Sequence, residues 1–231
     1  MAKKVLLACG ALVLSVALIG CQGKVEDTDP GAEAPGGAEP VATGSLPAPT
    51  AEDPIVVDEE NRAVLVYAEV NRKWVTEPTR HGVVAGNGSN GDKAIFRAGG
   101  DALDFHAALT GLGATPGDNV KKDSPAGTAA EGDGLDVTVS WEGASFPIDE
   151  LVISTGEFGG KALDPKFGGN YEMQSTAKTG CLFCLDTCAA GITSNAAVGW
   201  KSFDSGKVEF RGDGDKLPAD GTPVVVTFAL K

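Results

Sequence analysis

The chain has 231 residues, in which 32 acidic side chains against 19 basic ones give a formal net charge of −13. This negative balance argues against a nucleic-acid-binding protein and against electrostatic attachment to anionic lipid. The part that follows the N-terminal segments is long enough to form one domain with a buried core.

The first residues are typical of a secretion signal. Two lysines precede an apolar run over residues 5–19, which is too short for a dependable membrane-spanning helix. The run ends in Leu18-Ile-Gly-Cys21, which resembles the lipobox of bacterial lipoproteins. Residues 1–20 are therefore predicted to be a lipoprotein signal peptide, and Cys21 the acylated first residue. An ordinary signal peptide with a chance cysteine is the alternative.

Lipidation of Cys21 determines the predicted location. Because the net charge does not attract the chain to anionic lipid, acyl chains must anchor it to the membrane, and one acyl chain alone binds weakly. Gln22 rather than Asp follows the cysteine, which favours the outer membrane of the cell envelope, if the cell has one. Residues 21–54 are rich in Gly, Ala, Pro and Glu and are predicted to form a disordered tether.

Residues 55–231 are predicted to form a single globular domain that begins with strands. Ile55–Val70 contains two β-branched and aromatic segments on either side of the polar turn Asp58–Asn61. Lys73–Val75 continues the strand pattern. Pro78 ends it, because proline cannot donate to a strand ladder.

One helix is predicted, after a loop and a short strand. Gly86–Asp92 is rich in residues that tolerate positive φ and is predicted to be a tight loop before the strand Ala94–Arg97. Asp101 has the character of a helix N-cap. Phe105 and Leu109 follow at helical spacing, and they define one apolar face.

The second half of the domain is predicted to consist mainly of strands. Leu135–Trp141 alternates apolar and polar residues, whereas the polar residues 121–134 before it indicate an exposed loop. The other predicted strands are Phe146–Ile153, which runs into a short helical turn, Val208–Phe210 and Val224–Phe228. The predicted fold class is α+β and β-rich, with antiparallel strands, one short helix and an irregular cysteine-containing loop.

That loop carries the residues most suited to chemistry. Cys181, Cys184 and Cys188 lie within eight residues in the spacing C-x2-C-x3-C. Such a segment lets thiolates converge on one centre while backbone N–H groups point at the sulfurs. Three thiolates suffice for a three-iron cluster, but they are one ligand short of a four-iron cluster or a tetrahedral zinc site. His81 and Asp186 are the candidates for the fourth place.

Three stretches of the domain together resemble the YdjY-like domain family of bacterial exported proteins and lipoproteins. They are Glu77-Pro-Thr-Arg-His-Gly-Val-Val84, Gly88-Ser-Asn-Gly-Asp-Lys-Ala-Ile-Phe96, and Gly180-Cys-Leu-Phe-Cys-Leu-Asp-Thr-Cys188 with Gly191-Ile192. The resemblance runs from about residue 55 to the C-terminus. It implies an exported location and, since the family has been described as ferredoxin-like, an iron–sulfur cofactor. Relatives tend to carry proline after the last cysteine, whereas this chain has Ala189.

Three functions are compatible with these cysteines. The leading hypothesis is a membrane-anchored lipoprotein, not an enzyme, whose cysteines bind an iron–sulfur cluster or another thiophilic metal and which passes electrons to an envelope redox partner. The second is a binding or scaffold lipoprotein stapled by a disulfide, because exported cysteines usually pair, with one thiol left over. The third is an enzyme that uses a thiol with His81, although no second acid–base group stands at a recognisable spacing.

Overall fold

Twelve β-strands and three α-helices make up residues 46–231, the part of the chain that the computed structural model describes. The strands are β1 Ile55–Asp58, β2 Ala63–Val70, β3 His81–Ala85, β4 Ala94–Ala98, β5 Leu135–Trp141, β6 Ala144–Pro147, β7 Val152–Gly156, β8 Pro165–Lys166, β9 Cys181–Cys184, β10 Thr193–Asn195, β11 Val208–Gly212 and β12 Pro223–Leu230. The helices are α1 Lys73–Thr76, α2 Ala102–Gly111 and α3 Tyr171–Ala177, and short 3-10 turns cover Gly91–Lys93 and Ile148–Leu151.

Ten of the strands form one mixed sheet. Its order is β6-β5-β12-β2-β4-β3-β9-β10-β8, with β1 paired to β2, while β7 and β11 form a separate two-stranded sheet. Most of its pairs are antiparallel, as predicted, but β3 pairs with β4 in parallel and β9 pairs with β10 in parallel. The connections over residues 86–93 and 185–192 are shorter than the dozen or more residues that usually join parallel strands.

The large sheet curls so that its last strand, β8, approaches the start of β5 near its other end. Lys166 of β8 forms a bridge with Gly134, the residue before β5. Next to this bridge the Phe167 N–H donates to the Asp133 carbonyl at 2.8 Å. The curled sheet surrounds a core whose largest fully buried aromatic side chains are Phe96, Phe105, Phe167, Phe183, Phe210 and Phe228.

Helix α2 has the predicted cap and the predicted apolar face. The Asp101 carboxylate accepts a hydrogen bond from the Leu103 N–H at 2.8 Å. Phe105 and Leu109 are fully buried, and the ring of Phe105 packs edge-on against Phe228 with the centroids 4.7 Å apart. The strand predicted to follow the loop at residues 86–92 is present as β4.

Local hydrogen bonding overrides the strand pattern predicted for Lys73–Val75, which instead begins the short helix α1. The Asn71 side chain accepts from the Lys73 N–H at 3.3 Å, which offers this backbone group a partner outside a strand ladder. The resulting turn places the Trp74 indole N–H 2.8 Å from the Asp92 carbonyl. Helix α3 has no counterpart in the sequence prediction.

The N-terminal predictions fall largely outside the described residues. The signal peptide 1–20, the acylated Cys21 and most of the tether 21–54 lie there. Within the tether's described end, Pro49 is buried and the Pro54 carbonyl accepts from the Tyr67 N–H at 2.9 Å. Over residues 46–231, the helices are too short and too polar to cross a membrane.

Candidate metal centre

Strand β9 carries two of the three cysteines, and the predicted irregular cysteine-containing loop is present beyond it, where it carries the third. Cys181 and Cys184 are its first and last residues, and both are fully buried between β3 and β10. The short apolar run Leu182-Phe183 between them is the signal that favours a buried strand. Cys188 lies beyond the strand in the crossover over residues 185–192, which we call the cysteine loop.

An irregularity in the β3–β9 pairing brings the two strand cysteines towards His81. Side chains alternate between the faces of a regular strand, so Cys181 and Cys184 would point in opposite directions. The β3–β9 register shifts twice, between His81 and Val83 and again between Val83 and Val84. Such bulges re-aim side chains. As a result, one nitrogen of His81 and the sulfurs of Cys181 and Cys184 all lie within 4.8 Å of one another.

His81 is the first residue of β3. Its backbone N–H donates to Thr79 Oγ1 at 3.0 Å, and its Nδ1 lies 3.5 Å from Cys181 Sγ. Its partial exposure distinguishes it from the two buried cysteines. The three-residue set is therefore buried at its sulfurs and reaches the surface through the imidazole.

Cys188 lies beside this set. It packs with Cys181 and Cys184 in one buried cluster, and the Ala190 N–H donates to Cys188 Sγ at 3.4 Å. With Val84 and Ala94 the three cysteines form a small buried cluster separate from the main core. All three are free thiols. The structure thus brings three of the five predicted metal ligands within 4.8 Å of one another, and Cys188 packs in the same buried cluster as the two cysteines.

The fifth predicted ligand, Asp186, lies in an ion pair. Its two carboxylate oxygens accept from Arg80 at 2.6 and 3.0 Å, and its side chain is 0% exposed. Arg80 also binds Asp204 at 3.0 Å, and it lies over the rings of Trp200 and Phe203. Both oxygens of Asp186 are therefore engaged outside the His81, Cys181 and Cys184 set.

Burial and contacts shift the pKa values of these groups. Burial raises the pKa of Asp186 to about 6, although the Arg80 charge opposes this. The pKa of Cys181 lies well below its usual range, first because the Cys184 thiol donates to it and then because of His81. The pKa of Cys184 lies well above its usual range because of its hydrogen bonds with Cys181 and Cys188 and its burial. The thiols thus share protons unevenly, with negative charge favoured on Cys181.

Sequence reasoning missed the polar residues that surround the sulfurs. Asn90 Nδ2 donates to Cys181 Sγ at 3.6 Å, and Lys93 Nζ donates to Asn90 Oδ1 at 2.8 Å. The loop that carries Asn90 packs tightly on the segment before β9, since a Cβ at Gly88 would lie 2.4 Å from the Thr179 carbonyl oxygen. The stretch Gly88–Phe96 was recognised by its resemblance, but its contact with Cys181 has no local signal.

The loop over residues 121–134 closes another side of the site. No helix or strand is formed there, as predicted, but the loop is not wholly exposed. Ala130 is buried, and its N–H donates to Thr187 Oγ1 at 3.0 Å. This contact fixes the loop against the cysteine loop.

Fold and site define a β-rich domain with a mixed sheet and a buried cysteine–histidine cluster. The chain belongs to the YdjY domain family, which matches residues 55–229 and confirms the resemblance noted in the sequence. It is 39% identical over 180 residues to the uncharacterized protein YdjY of Escherichia coli (strain K12), an alignment that covers 77% of this chain and 79% of that protein. No solved structure gives a significant match.

Proposed function

We propose that this chain is an exported, lipid-anchored protein that binds one thiophilic metal ion through His81, Cys181, Cys184 and Cys188. The observation that carries the proposal is the convergence of the His81 nitrogen and the sulfurs of Cys181 and Cys184 within 4.8 Å. We assign Cys188 as the fourth ligand because it packs with Cys181 and Cys184 in one buried cluster. Lipidation at Cys21 and the tether 21–54 would hold this domain at the membrane of the cell envelope.

The spacing of the ligand atoms suits a single tetrahedral ion. Metal–sulfur and metal–nitrogen bonds of about 2.3 and about 2.0–2.1 Å place two such ligands about 3.5–3.6 Å apart in a tetrahedron. The distance from Cys181 Sγ to His81 Nδ1 is 3.5 Å. Thiolate and imidazole ligands favour zinc, copper(I) and iron over magnesium or calcium. The donor set and its spacing therefore support a soft, mononuclear centre.

The same spacing is less suited to an iron–sulfur cluster. Cluster cysteines bind different irons that are bridged by sulfide, so their sulfurs must be spread around a volume that holds these atoms. Here the sulfurs of Cys181 and Cys184 lie within 4.8 Å of each other, and Cys188 packs in the same small buried cluster. An iron–sulfur cluster stays a prediction, and a measurement of acid-labile sulfide tests it. Electron transfer to an envelope partner requires iron or copper in the site, whereas zinc would give a structural role.

The test is metal analysis of the full chain purified without oxygen. We expect about one metal ion per chain without acid-labile sulfide, and loss of that ion on replacing Cys181 or Cys184 with Ser. His81→Ala should lower the metal content, whereas His106→Ala, at the chain's other histidine, should not. Sulfide in amounts comparable to iron would favour the cluster. A metal-free protein with one titratable thiol would overturn the proposal in favour of the disulfide.

A further inference from the structure

Two of the three sulfurs already have their own hydrogen-bond donors. The Asn90 side-chain amide donates to Cys181 Sγ at 3.6 Å, and the Ala190 backbone N–H donates to Cys188 Sγ at 3.4 Å. Hydrogen bonds of this kind orient metal-bound thiolates and lower their donor strength. Among residues 46–231, no such donor from outside the thiol cluster reaches Cys184.

Ser194 lies in the position from which such a donor can come. It is the partner of Cys184 in the parallel β9–β10 register, and it is fully buried. A Cβ at Gly191 would lie 2.8 Å from Ser194 Oγ and 3.0 Å from Cys184 Sγ. The hydroxyl and the sulfur therefore face the same small space, which stays open because residue 191 is glycine.

The Ser194 hydroxyl is buried without a hydrogen-bond partner among the described residues. Native proteins rarely leave a buried hydroxyl unpaired, so such a group requires an explanation. Its neighbour Thr193 shows the usual arrangement, because its hydroxyl donates to the Leu182 carbonyl at 2.6 Å. Two adjacent hydroxyls on one strand thus differ: one is satisfied by backbone, and the other faces a ligand sulfur.

We infer that Ser194 is a positioning residue whose hydroxyl donates to the Cys184 sulfur when that sulfur is a metal-bound thiolate, so that each of the three sulfurs has one donor. This inference rests on the metal site proposed above. A bound metal requires the deprotonated thiol, and a thiolate is a stronger acceptor than a thiol. The bond requires the Ser194 hydroxyl to turn towards the sulfur in the space beside Gly191. Ser194 then stabilises the charge on Cys184 without touching the metal.

Cobalt(II) absorption of the full chain tests this role, because the sulfur-to-cobalt charge-transfer band reports on the thiolates directly. Wild-type protein should show the band on titration with cobalt(II). Ser194→Ala should bind cobalt(II) about tenfold more weakly and shift the band to longer wavelength, since an outer hydrogen-bond partner affects metal affinity by about 10–100-fold. The melting temperature of its metal-free form should not fall. Ser194→Gly, which also lacks the hydroxyl, is a second variant.

The matched control is Thr193→Val, which removes the neighbouring buried hydroxyl. It should lower the melting temperature, because the Leu182 carbonyl loses its partner, but leave the cobalt band in place. A Ser194→Ala band at the wild-type position with wild-type affinity would overturn this inference alone. A wild-type chain without the band would overturn the metal site, and the inference with it.

Discussion

The Arg80–Asp186 pair is the most vulnerable polar contact beside the site, and Arg80→Met tests it. The carboxylate of Asp186 is 0% exposed, and Arg80, at 14% exposed, binds both of its oxygens. Removing one partner of such a pair leaves a buried charge uncompensated, which costs about 3–5 kcal/mol. Asp204, the other partner of Arg80, is 54% exposed. Asp204→Asn should therefore cost no more than about 1 kcal/mol.

The assay is urea unfolding of the metal-free chain followed by tryptophan fluorescence. Arg80→Met should be most destabilising at about pH 8, where Asp186 is ionised, and less so at about pH 5. The folded-state pKa of Asp186 is raised to about 6 with Arg80 present and should rise further without it. A group with a raised folded-state pKa contributes less to the stability of the fold as the pH increases through that pKa. The loss in Arg80→Met should therefore be larger at the higher pH. Adding Asp186→Leu should restore most of the loss. If Arg80→Met costs no more than Asp204→Asn at the higher pH, the buried-charge reasoning fails.

Two further predictions concern the anchor and a second titrating group. Cys21→Ser should move the protein from the membrane pellet to the soluble exported fraction, whereas Cys9→Ser should leave it in the pellet; a Cys21→Ser variant that still pellets after a salt wash would exclude lipid anchoring. Burial lowers the folded-state pKa of His106, although the charge of Asp118 opposes this. The contribution of His106 to stability is therefore present above its unfolded-state pKa and is lost as the pH falls through its lowered folded-state pKa. His106→Gln should therefore flatten the fall of the urea midpoint between about pH 8 and about pH 5, and equal slopes in the two proteins would contradict this.

The sequence pattern predicts those secondary-structure elements that depend on regular alternation or on contacts between residues close in the sequence. Leu135–Trp141 forms the strand that its alternation indicates, with Leu135, Val137 and Val139 buried. The Asp101 cap was predictable for the same reason, since a cap is a contact between close neighbours in sequence.

The site depends on contacts that no local pattern specifies. The register shifts that turn Cys181 towards His81 belong to the pairing of two strands, not to either strand alone. Asn90 reaches Cys181 from 91 positions away in the chain. The sequence therefore identified the ligand candidates, but it did not identify the donors to their sulfurs. Asp186 was a reasonable candidate by proximity, and its engagement with Arg80 appears only in the folded structure.

The separation of His81 from Cys181 by 100 positions has a consequence for how the protein matures. A chain that reaches an oxidising compartment unfolded presents its three cysteines to thiol oxidants before the sheet has formed. Pairing of β3 with β9 both assembles the ligand set and buries the sulfurs. If the site holds the proposed metal, the yield of metal-loaded protein would therefore depend on the rate of folding relative to the rate of thiol oxidation, and faster assembly of the sheet would protect the thiols.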